Sequence, residues 1–204
     1  MPEIQRKRLF AAIFPPAHVV RSLQDAVAHL AKGFATRAVR WTQPEKLHLT
    51  LNFLGAIEVA RIPDIESALK AACNGHWQHT VRVAGLGCFS NRSRPQVFWA
   101  GLAGDLGPLE RLKKSIDTHF AAAGCRCEDR PFRPHLTIGR ASELNSAGRR
   151  SVARALAEEE DRDFGDWRVA SVDLMQSILS RDGAAYTTLL SVLLENPRTS
   201  EPSG

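Results

Sequence analysis

The sequence contains the same short motif twice, a histidine followed two residues later by a threonine, each time within an apolar run. The copies are His48-Leu49-Thr50-Leu51 and His135-Leu136-Thr137-Ile138. Successive side chains of an extended strand point to opposite faces of the sheet, so each histidine shares a face with its threonine while the apolar residues take the other face. We therefore expect two half-buried strands, each presenting one imidazole and one hydroxyl.

The repeated motif has two interpretations. Either copy alone is typical of an ordinary half-buried strand with a histidine on its polar face, because short patterns often occur by chance. Together, the copies indicate that two strands bring two imidazoles and two hydroxyls around one small polar group. The histidines are 135 − 48 = 87 positions apart, close to half of the chain. This spacing predicts two similar lobes with a cleft between them.

The rest of the chain interleaves strands with helices. Apolar runs predict strands at 8–14, 39–42, 47–54, 80–86, 96–102, 167–180 and 184–194, with a polar, basic loop at 90–95. Apolar residues at helical spacing predict helices at 19–32, 59–73 and 106–123, and a shorter one within 142–160. Because several predicted strands follow one another directly, antiparallel pairing is favoured over a doubly wound parallel sheet, and the fold class is α+β.

Charge allows an anionic partner without requiring one. The 27 Lys and Arg residues against 22 Asp and Glu residues give a formal net charge of +5. Guanidinium groups suit phosphate oxygens. Six arginines gather around the middle of the chain: Arg92, Arg94, Arg126, Arg130, Arg133 and Arg140. A solvated basic face explains this cluster equally well.

Nothing in the sequence indicates a zinc site, secretion or a membrane span. Cys125-Arg126-Cys127 lacks the ligand spacing of a zinc half-site. The first apolar run is broken by Pro15-Pro16 and is too short for a secretory segment. From the chain length of 204 residues we expect one two-lobed domain over 1–195 and a disordered tail over 196–204. We expect a cytoplasmic monomer that does not contact membranes.

Beyond the two motifs, the chain resembles the two-histidine phosphoesterase superfamily, and within it the RNA 2′,3′-cyclic phosphodiesterases, also called 2′-5′ RNA ligases. The matching segments cover nearly the whole chain: Arg8–Ile13, Leu47–Leu51, Phe53–Gly55, Val97–Trp99, Arg130–Ile138, Arg140, Ser177, Leu179, Gly183 and Tyr186. The resemblance implies a bilobal, pseudo-two-fold α+β fold with outer helices and the motif strands facing each other across a central cleft. It also implies hydrolysis of RNA 2′,3′-cyclic phosphate ends to 2′-phosphomonoesters, reversible as 2′-5′ ligation.

This chemistry needs neither a metal nor a cofactor. One group must take a proton from water and another must give one to the departing ribose oxygen, and imidazoles with a pKa near ~6.5 suit both tasks. We expect His135 to act as the base and His48 as the acid, although the residue types alone fit either order. Thr50 and Thr137 would donate to non-bridging phosphate oxygens. The resemblance also puts Arg140 against the phosphate, despite a strand parity opposite to that of His135.

Three alternatives stay open. In the first, the substrate is a small cyclic nucleotide or metabolite. In the second, the chain binds RNA ends without catalysis. In the third, the two histidines hold a metal.

Four aromatic residues are candidates to stack on a base, although aromatics in strands more often belong to the core: Phe10, Phe53, Trp99 and Phe132. We expect Tyr186 to serve packing.

Overall fold

The computed structural model describes residues 5–32, 39–91, 94–126, 130–141, 154–180 and 183–196. Its strands are β1 (Arg6–Ile13), β2 (Val39–Trp41), β3 (Leu49–Glu58), β4 (His79–Asn91), β5 (Arg94–Ala103), β6 (His135–Ala141), β7 (Asp163–Val169), β8 (Ser171–Ser180) and β9 (Gly183–Leu193). Its helices are α1 (Ala17–Lys32), α2 (Ile62–Cys73) and α3 (Gly107–Ala122). Short 3-10 helices, Pro44–Lys46 and Val59–Arg61, precede β3 and α2.

The strands form two sheets. The first has the order β3-β1-β8-β9 and the second β2-β6-β5-β4-β7. Every ladder between described strands is antiparallel. The two motif strands lie in different sheets, β3 in the first and β6 in the second. The expected α+β fold with two lobes of mainly antiparallel sheet is therefore confirmed.

The core face of each motif strand is apolar, as the alternation predicts. Leu49, Leu51, Leu136 and Ile138 are each at most 2% exposed and belong to one hydrophobic core. The helices bury one apolar stripe each in the same core. In α1 the stripe is Val19, Leu23, Ala26 and Leu30, and in α3 it is Leu109, Leu112, Ile116 and Phe120. This packing holds the backbone of both motifs in place beneath the cleft.

The predicted strand at 167–180 is wrong as a single element, because the structure divides it into β7 and β8. Trp167 and Val169 are buried at odd positions, whereas Val172 and Leu174 are buried at even positions. The buried face therefore changes phase at Ala170, where the chain leaves the second sheet and enters the first. The change of phase leaves no break in the sequence, because Val169, Ala170 and Ser171 continue the run without a Gly or Pro.

The predicted loop at 90–95 is also too long. β4 continues through Asn91, β5 begins at Arg94, and these two residues are paired in the ladder. Backbone hydrogen bonds continue a hairpin whatever its side chains are, so a polar composition does not end the strands. The part of the predicted helix within 142–160 that the structure describes is helical at 154–157. Residues 142–153 and the tail at 197–204 lie outside the described residues.

Candidate active site

A cleft of about 300 Å³ lies between the two sheets. All five residues that the sequence singles out line it, with His48 and Thr50 on the first sheet's side and His135, Thr137 and Arg140 on β6. The other lining residues are Arg8, Phe10, Thr42, Lys46, Phe53, Ser177, Leu179, Ala184 and Tyr186. The structure thus brings together two motifs that are far apart in the chain.

The two histidines are held by the same hydrogen bond. Nδ1 of His48 lies 2.7 Å from the carbonyl oxygen of Lys46, and Nδ1 of His135 lies 2.7 Å from that of Arg133. A carbonyl oxygen only accepts, so Nδ1 carries the hydrogen in both rings. Nε2 is therefore the nitrogen of each ring that can exchange a proton with a ligand. In both cases the carbonyl belongs to the residue two positions earlier in the chain.

A β-bulge brings Arg140 onto the cleft face of β6. Thr137 is paired with Trp99 and Gly139 with Phe98, so Ile138 has no partner in the ladder. The extra residue reverses the alternation, and Arg140 consequently shares a face with Thr137. The parity objection that the sequence raises against Arg140 therefore does not apply.

β3 contains the equivalent bulge after its own threonine. Thr50 is paired with Ala12 and Asn52 with Ala11, which leaves Leu51 as the extra residue. Phe53 then faces the cleft, five positions after His48, as Arg140 is five positions after His135. The two lobes thus share a histidine, a threonine, a bulge and a cleft-facing fifth residue, but that residue is aromatic in one lobe and cationic in the other.

Aromatic side chains enclose His48. Its ring centroid lies 5.0 Å from that of Phe10, 5.7 Å from that of Phe14 and 5.3 Å from that of Tyr186. Burial lowers the pKa of His48 below 6.5, the Lys46 carbonyl opposes this, and the charge of His135 lowers the pKa further. This lowered pKa favours the neutral form of His48, and the two imidazoles are near enough to influence each other.

The aromatic residue beside His135 is Phe89, whose ring meets the imidazole edge-on at 5.0 Å between centroids. The Trp99 ring packs directly on Gly87 of β4, where an added Cβ would come within 2.1 Å of it. Of the aromatic stacking candidates, Phe10 is buried beneath the cleft, whereas Phe53 is 40% exposed within it. Phe132 packs against the core.

Seven cleft residues were not anticipated as site residues: Arg8, Thr42, Lys46, Ser177, Leu179, Ala184 and Tyr186. Tyr186 packs against Phe10, as expected, and its ring also lines the cleft, 5.3 Å from that of His48. Burial raises the pKa of Tyr186, and the positive charge of Arg140 opposes the rise. Alternation along the first strand puts Arg8 on the same face as Phe10, but no local pattern reveals which strands border a cleft.

The cleft is basic. It is lined by Arg8, Lys46 and Arg140 together with the two histidines, and no carboxylate is among its described lining residues. Of the other arginines in the predicted basic cluster, none is among these lining residues, and Arg92 lies outside the described part of the chain.

Within the described ranges, no group of three His, Cys, Asp or Glu side chains could hold a metal ion, and no helix is long and apolar enough to cross a membrane.

One imidazole from the side of each antiparallel sheet faces a basic cleft, which is the arrangement that the resemblance to two-histidine phosphoesterases implied. A sequence model of the family described as LigT-like phosphoesterases matches residues 13–99 and 104–186. The chain therefore belongs to the LigT-like phosphoesterase family, as the sequence resemblance implied.

Curated relatives and solved structures agree with this assignment. A protein of Aeropyrum pernix named RNA 2′,3′-cyclic phosphodiesterase is 31% identical over 83% of this chain and 92% of its own length. One of the same name from Archaeoglobus fulgidus is 31% identical over 89% and 97%. The structure of E. coli LigT complexed with 3′-AMP has a TM-score of 0.73 at 26% identity, covering 93% of this chain and 99% of that one. TT0787 of Thermus thermophilus has a TM-score of 0.73 at 28% identity, covering 93% and 98%.

Proposed function

We propose that this protein hydrolyses RNA 2′,3′-cyclic phosphate ends to 2′-phosphomonoesters by acid-base catalysis with two histidines and without a metal. The observation that carries the proposal is the matched pair of imidazoles in one basic cleft, each with Nδ1 bound to a backbone carbonyl. The names of the curated relatives support the choice of substrate.

In the proposed reaction, water attacks phosphorus and the bond from phosphorus to the ribose 3′-oxygen breaks. The base takes a proton from the water, and the acid gives a proton to the 3′-oxygen. In-line geometry requires these two groups on opposite sides of phosphorus, which suits histidines contributed by two facing lobes. The sum of both transfers is the addition of one water molecule, so no cofactor is required.

We propose His135 as the base and His48 as the acid. Three aromatic rings pack around His48, whereas His135 has Phe89 as its described aromatic neighbour, so the attacking water has the more open approach beside His135. This order requires a protonated His48. The negative charge of a bound phosphate favours that form and opposes the effect of burial on the pKa of His48.

Thr50, Thr137 and Arg140 would bind the non-bridging oxygens. Both hydroxyls line the cleft beside their histidines, and the bulge at Ile138 brings the Arg140 guanidinium to the same face. Donors fixed in advance stabilise charge as it accumulates on these oxygens.

Phe53, exposed in the cleft, would stack on the terminal base. The same groups would catalyse 2′-5′ ligation when a 5′-hydroxyl attacks phosphorus in place of water, because the same bond to the 3′-oxygen breaks and the same two proton transfers occur.

The test uses an oligoribonucleotide with a 2′,3′-cyclic phosphate end, in the presence of a chelator, with identification of the product isomer. We expect a 2′-phosphate, and a 3′-phosphate would contradict the proposal. His48→Ala and His135→Ala should each lower kcat by about 10²–10⁴-fold. His29→Ala, which removes an exposed imidazole from α1, is the matched control and should retain full activity.

The same experiment separates the alternatives. Loss of activity with the chelator would favour histidines that hold a metal. Binding of the RNA end without turnover would favour a non-catalytic binder. Equal turnover of an oligonucleotide and of a mononucleoside cyclic phosphate would favour a small cyclic nucleotide as the substrate.

A further inference from the structure

Arg8 is a cation of the cleft that the reaction itself does not use. It lies on β1, opposite Ser177 of β8, and Ser177 is in turn opposite Tyr186 of β9. All three residues line the cleft. The first sheet therefore carries a row of one guanidinium and two hydroxyl groups, formed by three adjacent strands.

The guanidinium of Arg8 lies over the Phe53 ring, and among the described residues it has no hydrogen-bond or ion-pair partner. Its central carbon lies 5.2 Å from the centroid of the Phe53 ring. A stacked guanidinium still presents a planar fork of donors, which matches phosphate oxygens. Because no carboxylate is among the described residues of this cleft, the complementary ligand is an anion that comes with the substrate.

Arg8 is offset from the threonine that would bind the reacting phosphate. Thr50 is paired with Ala12, and Arg8 lies four residues further along β1. At about 3.3 Å per residue, the two backbone positions are about 13 Å apart along the strand. Arg140 and the two threonines already supply donors for one phosphate, so Arg8 is available for another.

We propose that Arg8, assisted by the Ser177 hydroxyl, binds the phosphodiester immediately 5′ to the terminal nucleotide. This inference rests on the proposed function and specifies its substrate class. A mononucleoside cyclic phosphate has no such group, whereas every RNA chain does. Arg8 thereby makes the enzyme selective for RNA ends over small cyclic nucleotides.

The experiment compares a nucleoside 2′,3′-cyclic phosphate with a dinucleotide that has the same terminal residue. We expect Arg8→Gln to lower kcat/KM for the dinucleotide by about 10–100-fold, the value of one charge-assisted hydrogen bond, and to change it less than about twofold for the mononucleotide. The slope of log kcat/KM against log salt should fall by about 0.7 for the dinucleotide alone. Ser177→Ala should have a smaller effect with the same substrate dependence.

The matched control is Arg6→Gln, which removes the same charge two residues earlier on β1, where Arg6 pairs with Glu58 outside the cleft lining. It should leave both substrates unaffected. Equal losses on both substrates in Arg8→Gln would overturn the proposal, because Arg8 would then act through Phe53 or through the reacting phosphate. No loss on either substrate would overturn it as well.

Binding separates this inference from the proposed function. If the wild-type protein hydrolyses neither substrate, the proposed function fails, but calorimetry can still compare a dinucleotide ending in a 2′-phosphate with a nucleoside 2′-phosphate. A preference for the dinucleotide that Arg8→Gln abolishes supports the second phosphate site. The absence of a preference in the wild-type protein rejects it.

Discussion

Asn52 donates a hydrogen bond of 2.7 Å from its amide nitrogen to a carboxylate oxygen of Asp117. Asn52 is 5% exposed and lies directly after the bulge residue Leu51, while Asp117 lies on α3 and also pairs with Lys113. Lys113 in turn lies 5.5 Å from the ring centroid of Phe132, three residues before His135. A single carboxylate thus joins the bulge of one motif strand to the helix that supports the approach to the other.

Asp117→Ala should therefore destabilise the fold. The substitution leaves the buried amide of Asn52 and the largely buried Lys113 without this partner, at a cost of about 1–3 kcal/mol. Denaturant unfolding measures the change. Thr118→Ala, next to it on the exposed side of α3, is the control and should stay within about 0.5 kcal/mol of the wild type. An equally stable Asp117→Ala variant would mean that water replaces the carboxylate.

Arg140→Gln should lower kcat by about 10²–10³-fold, because it removes a donor from the oxygens on which charge accumulates. Arg140→Lys should recover only part of this loss, since an ammonium group lacks the planar fork of a guanidinium. Single-turnover kinetics with a cyclic phosphate substrate separate the chemical step from binding. A variant that changes KM alone would show that Arg140 binds substrate and transition state equally.

The pH dependence of kcat/KM should be a bell with its acidic limb below about pH 6.5. Its limbs report the macroscopic pKa values of the histidine pair, and burial lowers that of His48, so the lower value lies below 6.5. Phe14→Ala opens the surroundings of His48 and should move the acidic limb to higher pH. Phe53→Ala, which removes a cleft aromatic with no described ring contact to His48, should leave that limb in place.

A substrate with sulfur in place of the bridging 3′-oxygen should reveal which histidine is the acid. A thiolate leaves without protonation, because the ordinary pKa of a thiol is only about 8.5. We expect His48→Ala to regain most of its activity with this substrate and His135→Ala to remain defective. Rescue of His135→Ala instead would reverse the two roles.

Much of the fold follows from local patterns. The alternation around both motifs correctly predicts which residues enter the core, and helical spacing correctly predicts α1 and α3, because burial of one face is a property of a single element. The two histidines and two threonines could also be singled out from local patterns alone. Their motifs repeat, and their parity is fixed within each strand.

Other features depend on pairs of strands and could not be predicted from local patterns, although the family resemblance already put Arg140 against the phosphate. The orientation of Arg140 depends on Ile138 having no partner opposite β5. The positions of Arg8 and Ser177 beside the cleft depend on β1 lying next to β8, although 177 − 8 = 169 residues separate them in the chain. Neither the bulge nor the neighbouring strand leaves a signal in the residues concerned.

The resemblance between the lobes ends at the fifth position after each histidine, where one lobe has Phe53 and the other has Arg140. A perfectly duplicated cleft would accept a symmetric ligand equally well either way round. If the terminal base stacks on Phe53 and the reacting phosphate meets Arg140, as proposed, a nucleotide binds in one orientation. Under the proposed function, that orientation would select which ribose oxygen departs, and hence which isomer is released.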